Sequence, residues 1–436
     1  MLHVKKKKTS ENIFNLAKKI FHLNRSLTGD GNRKTFEILS KYIPNLKTFE
    51  IQSGVRAFDW TIPKEWKVQE AYIITPEGKK ICDYNKCNLH LVAYSVPFEG
   101  VITLEKLNKH LYSRKDLPNA IPYVTSYYKK TWGFCISQLE RNKLKKGNYK
   151  IVVKTKLFNG SMTYGEVLLK GKSKKEIFLS TYICHPSMAN NEVSGPVILT
   201  HLLKWLLERK IKPQFSIRAV FIPETIGSIY YLSKNLSTLK KKVIAGLNLT
   251  CVGDNRNYSI LYSKYKNTIA DKLGEHIIKW TDKNYKSYYW NDRGSDERQY
   301  CSPFVDLPFI SLMRTKHTEY PEYHTSLDAL NSVVTAEGLM GGFAINQNFI
   351  VALEKNFYPI SKIICEPMMN KRDLYPSIML GKRRPASVRL MMNFLSWSDG
   401  KNSLLDIAEK INEPIWNLYE IANILLEKKI IKKKFL

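Results

Sequence analysis

The sequence predicts an α/β protein built on a mixed, largely parallel sheet with helices on both faces. Two observations carry this. Apolar runs EIFLSTYI (176–183), FSIRAVFI (215–222), VIAGLNLTCV (243–252) and VDLPFISLM (305–313) are too continuous for half-exposed strands and fit strands covered on both faces. Helical tracts alternate with them: GPVILTHLLKWLLERK (195–210) aligns Leu199, Leu202, Leu203 and Leu206 on one stripe, and a second tract spans about 336–355.

Ahead of this core, residues 11–45 read as helix, with Phe36, Leu39 and Ile43 at helical spacing and Pro44 as the stop. Residues 48–155 change character. Short alternating runs (60–75, 88–96, 147–157) separated by turns predict a small β-rich unit inserted into the core. The core is then discontinuous, 1–47 with 156–365. Residues 366–384, with two prolines and a basic cluster, read as a linker. The tail, 385–436, reads helix, turn, helix, turn, helix, short strand, the order of a winged helix-turn-helix.

Composition sets bounds. The chain has 436 residues, 44% hydrophobic and 12% aromatic, enough to build a core and to exclude a disordered class. The N-terminus is basic but has no apolar run or cleavage site of the secretory kind, and no stretch is apolar enough to span a membrane. Seven cysteines, an odd number without zinc-ribbon spacing, fit free thiols and a cytoplasmic location; Cys82 and Cys87 have no second pair to complete a metal site. The formal charge of +30 raises a polyanionic partner, but the lysines are spread along the chain as a general solubilising surface.

The tail tests the polyanion reading. Residues 380–436 hold 11 Lys/Arg and 6 Asp/Glu, a net positive charge per residue about the same as that of the whole chain. The candidate recognition helix, 414–428, carries Glu420, Glu427 and Lys428 beside Trp416, Leu418, Tyr419, Ile421, Ile424 and Leu425. A DNA reader needs cations and amides there. The tail is therefore read as a packing or protein-interaction module, for a protein partner or a second copy, rather than a DNA reader.

Ligands of open α/β sheets bind at the carboxyl ends of strands. Four successive strand ends here carry polar groups: CHPSMANNEVSGP (184–196), PETIGSIYYL (223–232), Gly253–Asp254, and YHTSLD (323–328), with DRGSDERQY (292–300) before the last strand. These strings resemble the zinc aminopeptidase superfamily with a phosphorylase/hydrolase-like three-layer core. Within it they resemble a bacterial aminopeptidase-like family associated with polysaccharide biosynthesis, with an inserted small β domain and a C-terminal winged helix. The resemblance covers essentially the whole chain.

The resemblance implies metal ligands at His185 and His324 and a general base at Glu224. The position of the bridging Asp of two-zinc relatives is Asn191, the Glu-Glu pair is Glu224-Thr225, and a later Asp ligand aligns with Thr250. Two dications need that missing negative charge. The expectation is one zinc per chain, on His185, His324 and a third ligand that is either Asn191 or Glu192, with Glu224 beside a zinc-activated water for amide or ester cleavage. Asp328 and Asp254 are candidates to orient ligands, although an N-cap and a turn suit them equally. Asp296 and Arg298, with Arg293, are candidates to contact a sugar or peptide-like substrate, the arginines by forking onto a carboxylate. Trp60, Trp66 and Trp132 of the insertion either line a sugar pocket or pack its core. Two other readings stay open: a degenerate peptidase-fold binding or scaffold protein in glycan biosynthesis, and a winged-helix regulator with a sensor domain.

Overall fold

The computed structural model describes residues 2–127, 129–209, 211–374 and 386–435. It divides into two compact units, Met1–Asp271 with Asn284–Ile345, and Lys272–Lys283 with Asn346–Leu436.

The first unit is organised by an eight-stranded sheet among the described residues. Its order is Lys47–Gln52, Ser161–Leu169, Phe215–Ile222, Ser173–Tyr182, Val243–Asn248, Phe309–Met313, Ser259–Leu261 and Lys286–Tyr288. The four strands from Phe215–Ile222 to Phe309–Met313 run parallel and are the four apolar runs of the sequence. Every residue of Phe215–Ile222 and Phe309–Met313 is buried, which is why no polar alternation marks them. Antiparallel strands flank this centre on both sides, so the sheet is mixed.

The helix Ser194–Glu208 follows the strand Ser173–Tyr182 through a π-turn, Ala189–Val193. Gly195 permits the close approach. A Cβ there would stand 2.3 Å from Thr181 Oγ1 and 2.4 Å from Leu249 O.

Two sequence expectations are corrected. The helix expected over 11–45 is two, Leu2–Phe21 and Asp30–Ser40, because residues 22–29 turn inward to bury Arg25 and Ser26. The insertion is shifted at both edges: Lys47–Gln52 pairs with Ser161–Leu169 in the large sheet, whereas the insertion strand Asn148–Phe158 runs past 155. The insertion itself is a four-stranded sheet, Lys80–Ile81, Glu65–Ile74, Asn148–Phe158 and Phe98–Thr103, closed by a core that includes Trp66, Trp132, Phe134 and Tyr149. Trp66 and Trp132 are thus packing residues.

The second unit holds the tail. Helices Ala386–Ser396, Leu404–Lys410 and Asn417–Glu427 precede the strand Ile431–Lys434. That strand pairs with Tyr358–Ser361, so the module begins before residue 385; the C-terminal part of the expected linker, 375–384, lies outside the described residues, as does residue 385. The helix Asn417–Glu427 buries Leu418, Ile421, Ala422 and Leu425, and its exposed positions are Asn417, Glu420, Asn423 and Glu427, with no cation among them. Among the described residues no helix is long and apolar enough to cross a membrane.

Candidate metal and hydrolytic site

His185 follows the end of the strand Ser173–Tyr182, and His324 lies in the irregular loop after Phe309–Met313. Their rings lie with centroids 5.6 Å apart. His185 Nδ1 meets Glu192 Oε2 at 3.1 Å, and Glu192 Oε1 accepts from Arg25 Nε at 2.9 Å. Both Glu192 oxygens are therefore engaged, and the carboxylate orients the imidazole as a carboxylate–histidine pair does. His185 is left with Nε2, which lies 3.7 Å from Glu224 Oε2. Burial lowers the His185 pKa, but its hydrogen bond to Glu192 and the charges of Glu192 and Glu224 outweigh it, and the net direction is up.

His324 is the opposite case. Its ring stacks on Tyr323 at 3.9 Å, and its Nε2 is buried without a partner among the described residues. Burial first, then the charges of His185 and His317, push its pKa down to about 3. It is held as the neutral imidazole that metals bind.

Asn191 sits in the π-turn, a distortion frequent at functional sites. Its Nδ2 donates to Tyr182 Oη at 2.7 Å, and its Oδ1 is buried with no partner among the described residues. Tyr182 Oη also pairs with Thr250 Oγ1 at 2.7 Å. The two neutral replacements for acidic ligands are thus joined through one phenol.

Asp328 accepts from the amides of Asn190 (2.7 Å) and Asn191 (2.9 Å), and from no histidine ring. It caps the turn from a distant loop, satisfying amides that no helix carbonyl reaches. Asp254 accepts from Asn190 Nδ2 (3.0 Å), Arg256 N (2.9 Å) and both donors of Thr315, which makes it a pin between loops.

Glu224 ends the strand Phe215–Ile222 two residues on, its amide donating to Cys184 Sγ at 3.1 Å. Burial raises its pKa, against the lowering charges of His185 and Arg298. Thr225 has φ 66, a left-handed conformation costly for a β-branched residue. Its amide donates to Asp296 Oδ1 at 2.8 Å, and its Oγ1 accepts from Arg298 Nη2 at 2.9 Å. Asp296 and Arg298 thereby hold the turn that presents Glu224. Arg293 is elsewhere: exposed and lying over the Trp290 ring.

Cys184, His185 and Glu192 place a sulfur, a ring nitrogen and a carboxylate oxygen within 4.8 Å of one another. The Nδ1 and Oε2 atoms of that set are bonded to each other, so the geometry is an internal network and not an open cradle. Outside that set, His324 Nε2 and Asn191 Oδ1 have no partner among the described residues, and His185 Nε2 has only the 3.7 Å approach of Glu224 Oε2. A cavity of about 420 Å³ lies beside both histidine loops, lined in part by Asn24, Tyr84, Asn88, Ser187 and Ser326.

Sequence reasoning missed Arg25, Tyr182, His317 and the insertion's Tyr123. The helical reading of 11–45 absorbed Arg25, although the glycines at 29 and 31 after it were a signal of a break. Tyr123 lies in the aromatic stretch IPYVTSYY, where nothing distinguishes a site residue from a core one.

The sheet and the histidines at its carboxyl ends define an aminopeptidase-like fold. BSAP, a zinc aminopeptidase from Bacillus subtilis, superposes with a TM-score of 0.56 over 79% of this chain and 94% of its own at 14% identity, a likeness of fold alone. The chain belongs to the family described as a domain of unknown function, DUF4910, which matches residues 14–356; a winged helix-turn-helix family matches 358–433. It is similar to a Clostridium acetobutylicum protein provisionally named a polysaccharide biosynthesis protein with aminopeptidase-like domain, 39% identical over 425 residues, 97% of this chain and 96% of the relative. A crystal structure of a provisionally assigned peptidase from Clostridium acetobutylicum is 36% identical, covers 99% of both chains and has a TM-score of 0.91.

Proposed function

We propose that the chain is a single-zinc hydrolase that cleaves an amide or ester bond in a glycan or glycan precursor. The carrying observation is the set of unused donors. His324 Nε2 and Asn191 Oδ1 are buried without partners, an expensive condition unless something fills it. With His185 Nε2 they would hold one zinc by two imidazoles and an amide oxygen. That choice favours Asn191 over Glu192, whose oxygens are taken by Arg25 and His185. A bound zinc would supply a Lewis acid to polarise a carbonyl.

The protein's own groups do the rest. Glu224 is 20% exposed, enough to meet a water, and burial raises its proton affinity toward that of a useful base. It takes the proton of the attacking water and returns it to the leaving group. Asp296 and Arg298 fix its turn, and Arg298 offers positive charge beside it. The relative's name supports a glycan substrate, and the seven free cysteines support a reducing, cytoplasmic setting.

A second reading has its own observation. Asn191 and Thr250 are tied together by Tyr182, which supports a site adapted to fewer ions and also suits a binding or scaffold protein in glycan assembly. Metal content decides between them. The hydrolase requires about one zinc per chain, lost in His185→Ala and His324→Ala. Glu224→Gln should keep the metal and abolish turnover of aryl esters, aminoacyl anilides or acetylated amino sugars. Zinc-free folded protein would sink the hydrolase reading, and turnover retained in Glu224→Gln would remove Glu224 as base.

A further inference from the structure

The insertion reaches the site through a short backbone clamp. Tyr123 N donates to His324 O at 2.8 Å and Ser326 N to Ile121 O at 2.9 Å, while Ile121 N donates to Ser326 Oγ at 3.0 Å. Pro122 and Thr325 form an antiparallel bridge between them. His324 has φ 55, a conformation that costs a non-glycine residue about 1–3 kcal/mol when the surroundings do not impose it. The clamp is what imposes it here.

The same clamp fixes Tyr123. Its ring centroid is 5.3 Å from His185 and 5.3 Å from His324, so it faces both candidate ligands. Tyr123 Oη and Tyr127 Oη are 2.9 Å apart. Two phenols carry two hydroxyl hydrogens, and the bond between them uses one. Neither hydroxyl makes another hydrogen bond among the described residues, and both side chains keep partial exposure. One donor is therefore left over, and a phenol keeps that proton at neutral pH.

We propose that the insertion is a fixed wall of the site, not a swinging lid, and that its Tyr123–Tyr127 pair donates the spare hydroxyl hydrogen to a carbonyl or oxyanion oxygen of the ligand. This rests on the hydrolase reading only for placing the ligand between the two histidines. A binding protein would use the same donor. The pair confers selectivity for ligands that present an acceptor oxygen at that point. A ligand offering only a donor there would leave the spare hydrogen unpaired.

Inorganic phosphate is the probe, a small oxyanion with acceptors on every side. It is titrated calorimetrically into the full chain, once after chelator treatment and once loaded with zinc. Wild type should bind in both preparations. The double variant Tyr123→Phe with Tyr127→Phe, which removes both hydroxyl hydrogens, should weaken binding about fivefold, the worth of one hydrogen bond, while melting stays near wild type; of the single variants, the one that removes the phenol donating to the ligand should show most of that loss. Glu224→Gln should bind phosphate at least as well, because it removes a negative charge. An affinity of the double Phe variant within about twofold of wild type would overturn the proposal, given that a hydrogen bond is worth more. So would wild type that binds no phosphate in either preparation. The chelated arm separates this from the zinc question: loss of zinc chemistry with a tyrosine effect intact would leave the donor standing.

Discussion

Arg25 and Glu192, 167 residues apart in sequence, form an ion pair at 2.9 Å with side chains 1% and 0% exposed. The pair joins the loop after the first helix to the π-turn, and Glu192 passes its orientation on to His185. Removing one partner would strand the other's charge in the interior. Arg25→Met should therefore destabilise the first unit by about 3–5 kcal/mol, read by urea denaturation, whereas Arg25→Met with Glu192→Leu should recover most of that loss. A single mutant as costly as the double would show that the pairing is not the cause.

Asp296 makes a prediction about pH. Its Oδ1 accepts from Thr225 N and Ser228 Oγ, and its Oδ2 is buried without a partner. Burial first, then the charge of Glu224, raises its pKa. A carboxyl whose folded pKa stands above its unfolded value of about 3.9 retains in the fold a proton that the unfolded chain has released. Stability must then fall as pH rises from the unfolded value toward the folded one. Asp296→Asn should flatten that fall relative to wild type, because the amide does not titrate. Asp296→Ala should cost about 1–3 kcal/mol at the acid end of that range, where the wild-type carboxyl keeps its proton, by leaving the Thr225 amide and Ser228 hydroxyl unpaired. Parallel pH curves for wild type and Asp296→Asn would refute the assignment.

The parallel centre of the sheet was readable because its strands are covered on both faces. Phe215–Ile222 and Phe309–Met313 are wholly buried and appear as unbroken apolar runs. The flanking strands Lys47–Gln52 and Ser161–Leu169 mix exposed and buried positions and merge with the insertion's own alternation, so the insertion's edges were misplaced. The histidines and Glu224 were readable through motif strings at strand ends. The use of Glu192 was not: as a bare carboxylate it looks like a ligand, and only the fold shows Arg25 and His185 consuming it. Nor could sequence reveal that Asp328 caps Asn190 and Asn191, since that bond spans 138 residues.

Asn191 offers a test by restoration. Its amide now donates to Tyr182 and leaves Oδ1 free. Asn191→Asp would add a negative charge at the position of the proposed amide ligand in the π-turn, and Tyr182 could turn its hydroxyl to donate. Zinc affinity, measured by competition with a chromogenic chelator, should rise. Stoichiometry should stay near one, because Thr225 and Thr250 still supply no charge for a second dication. Two zincs per chain in this variant would show that the missing bridge alone limits the site.

The second unit carries a histidine whose neutrality is structural. His276 Nε2 accepts from Ile415 N at 2.9 Å, and its Nδ1 side meets the Glu409 carboxylate. An imidazolium has no acceptor, so protonation would break the Ile415 bond. Burial lowers the His276 pKa, with Glu409 pulling the other way and Lys279 adding to the fall. The folded value thus lies below the unfolded one of about 6.5, and the unfolded chain binds the extra proton. Stability of this unit should hold above that value and be lost progressively as pH falls through it. Hydrogen exchange of the Ile415 amide should therefore report a smaller opening free energy at about pH 5.5 than at about pH 7.5, after correction for intrinsic rates. His276→Leu should remove the acceptor outright, cost about 1–3 kcal/mol, and abolish the His276-dependent part of the pH effect. Equal opening free energies in wild type at the two pH values would mean that His276 binds as many protons in the fold as in the opened chain, and the argument from burial would fail.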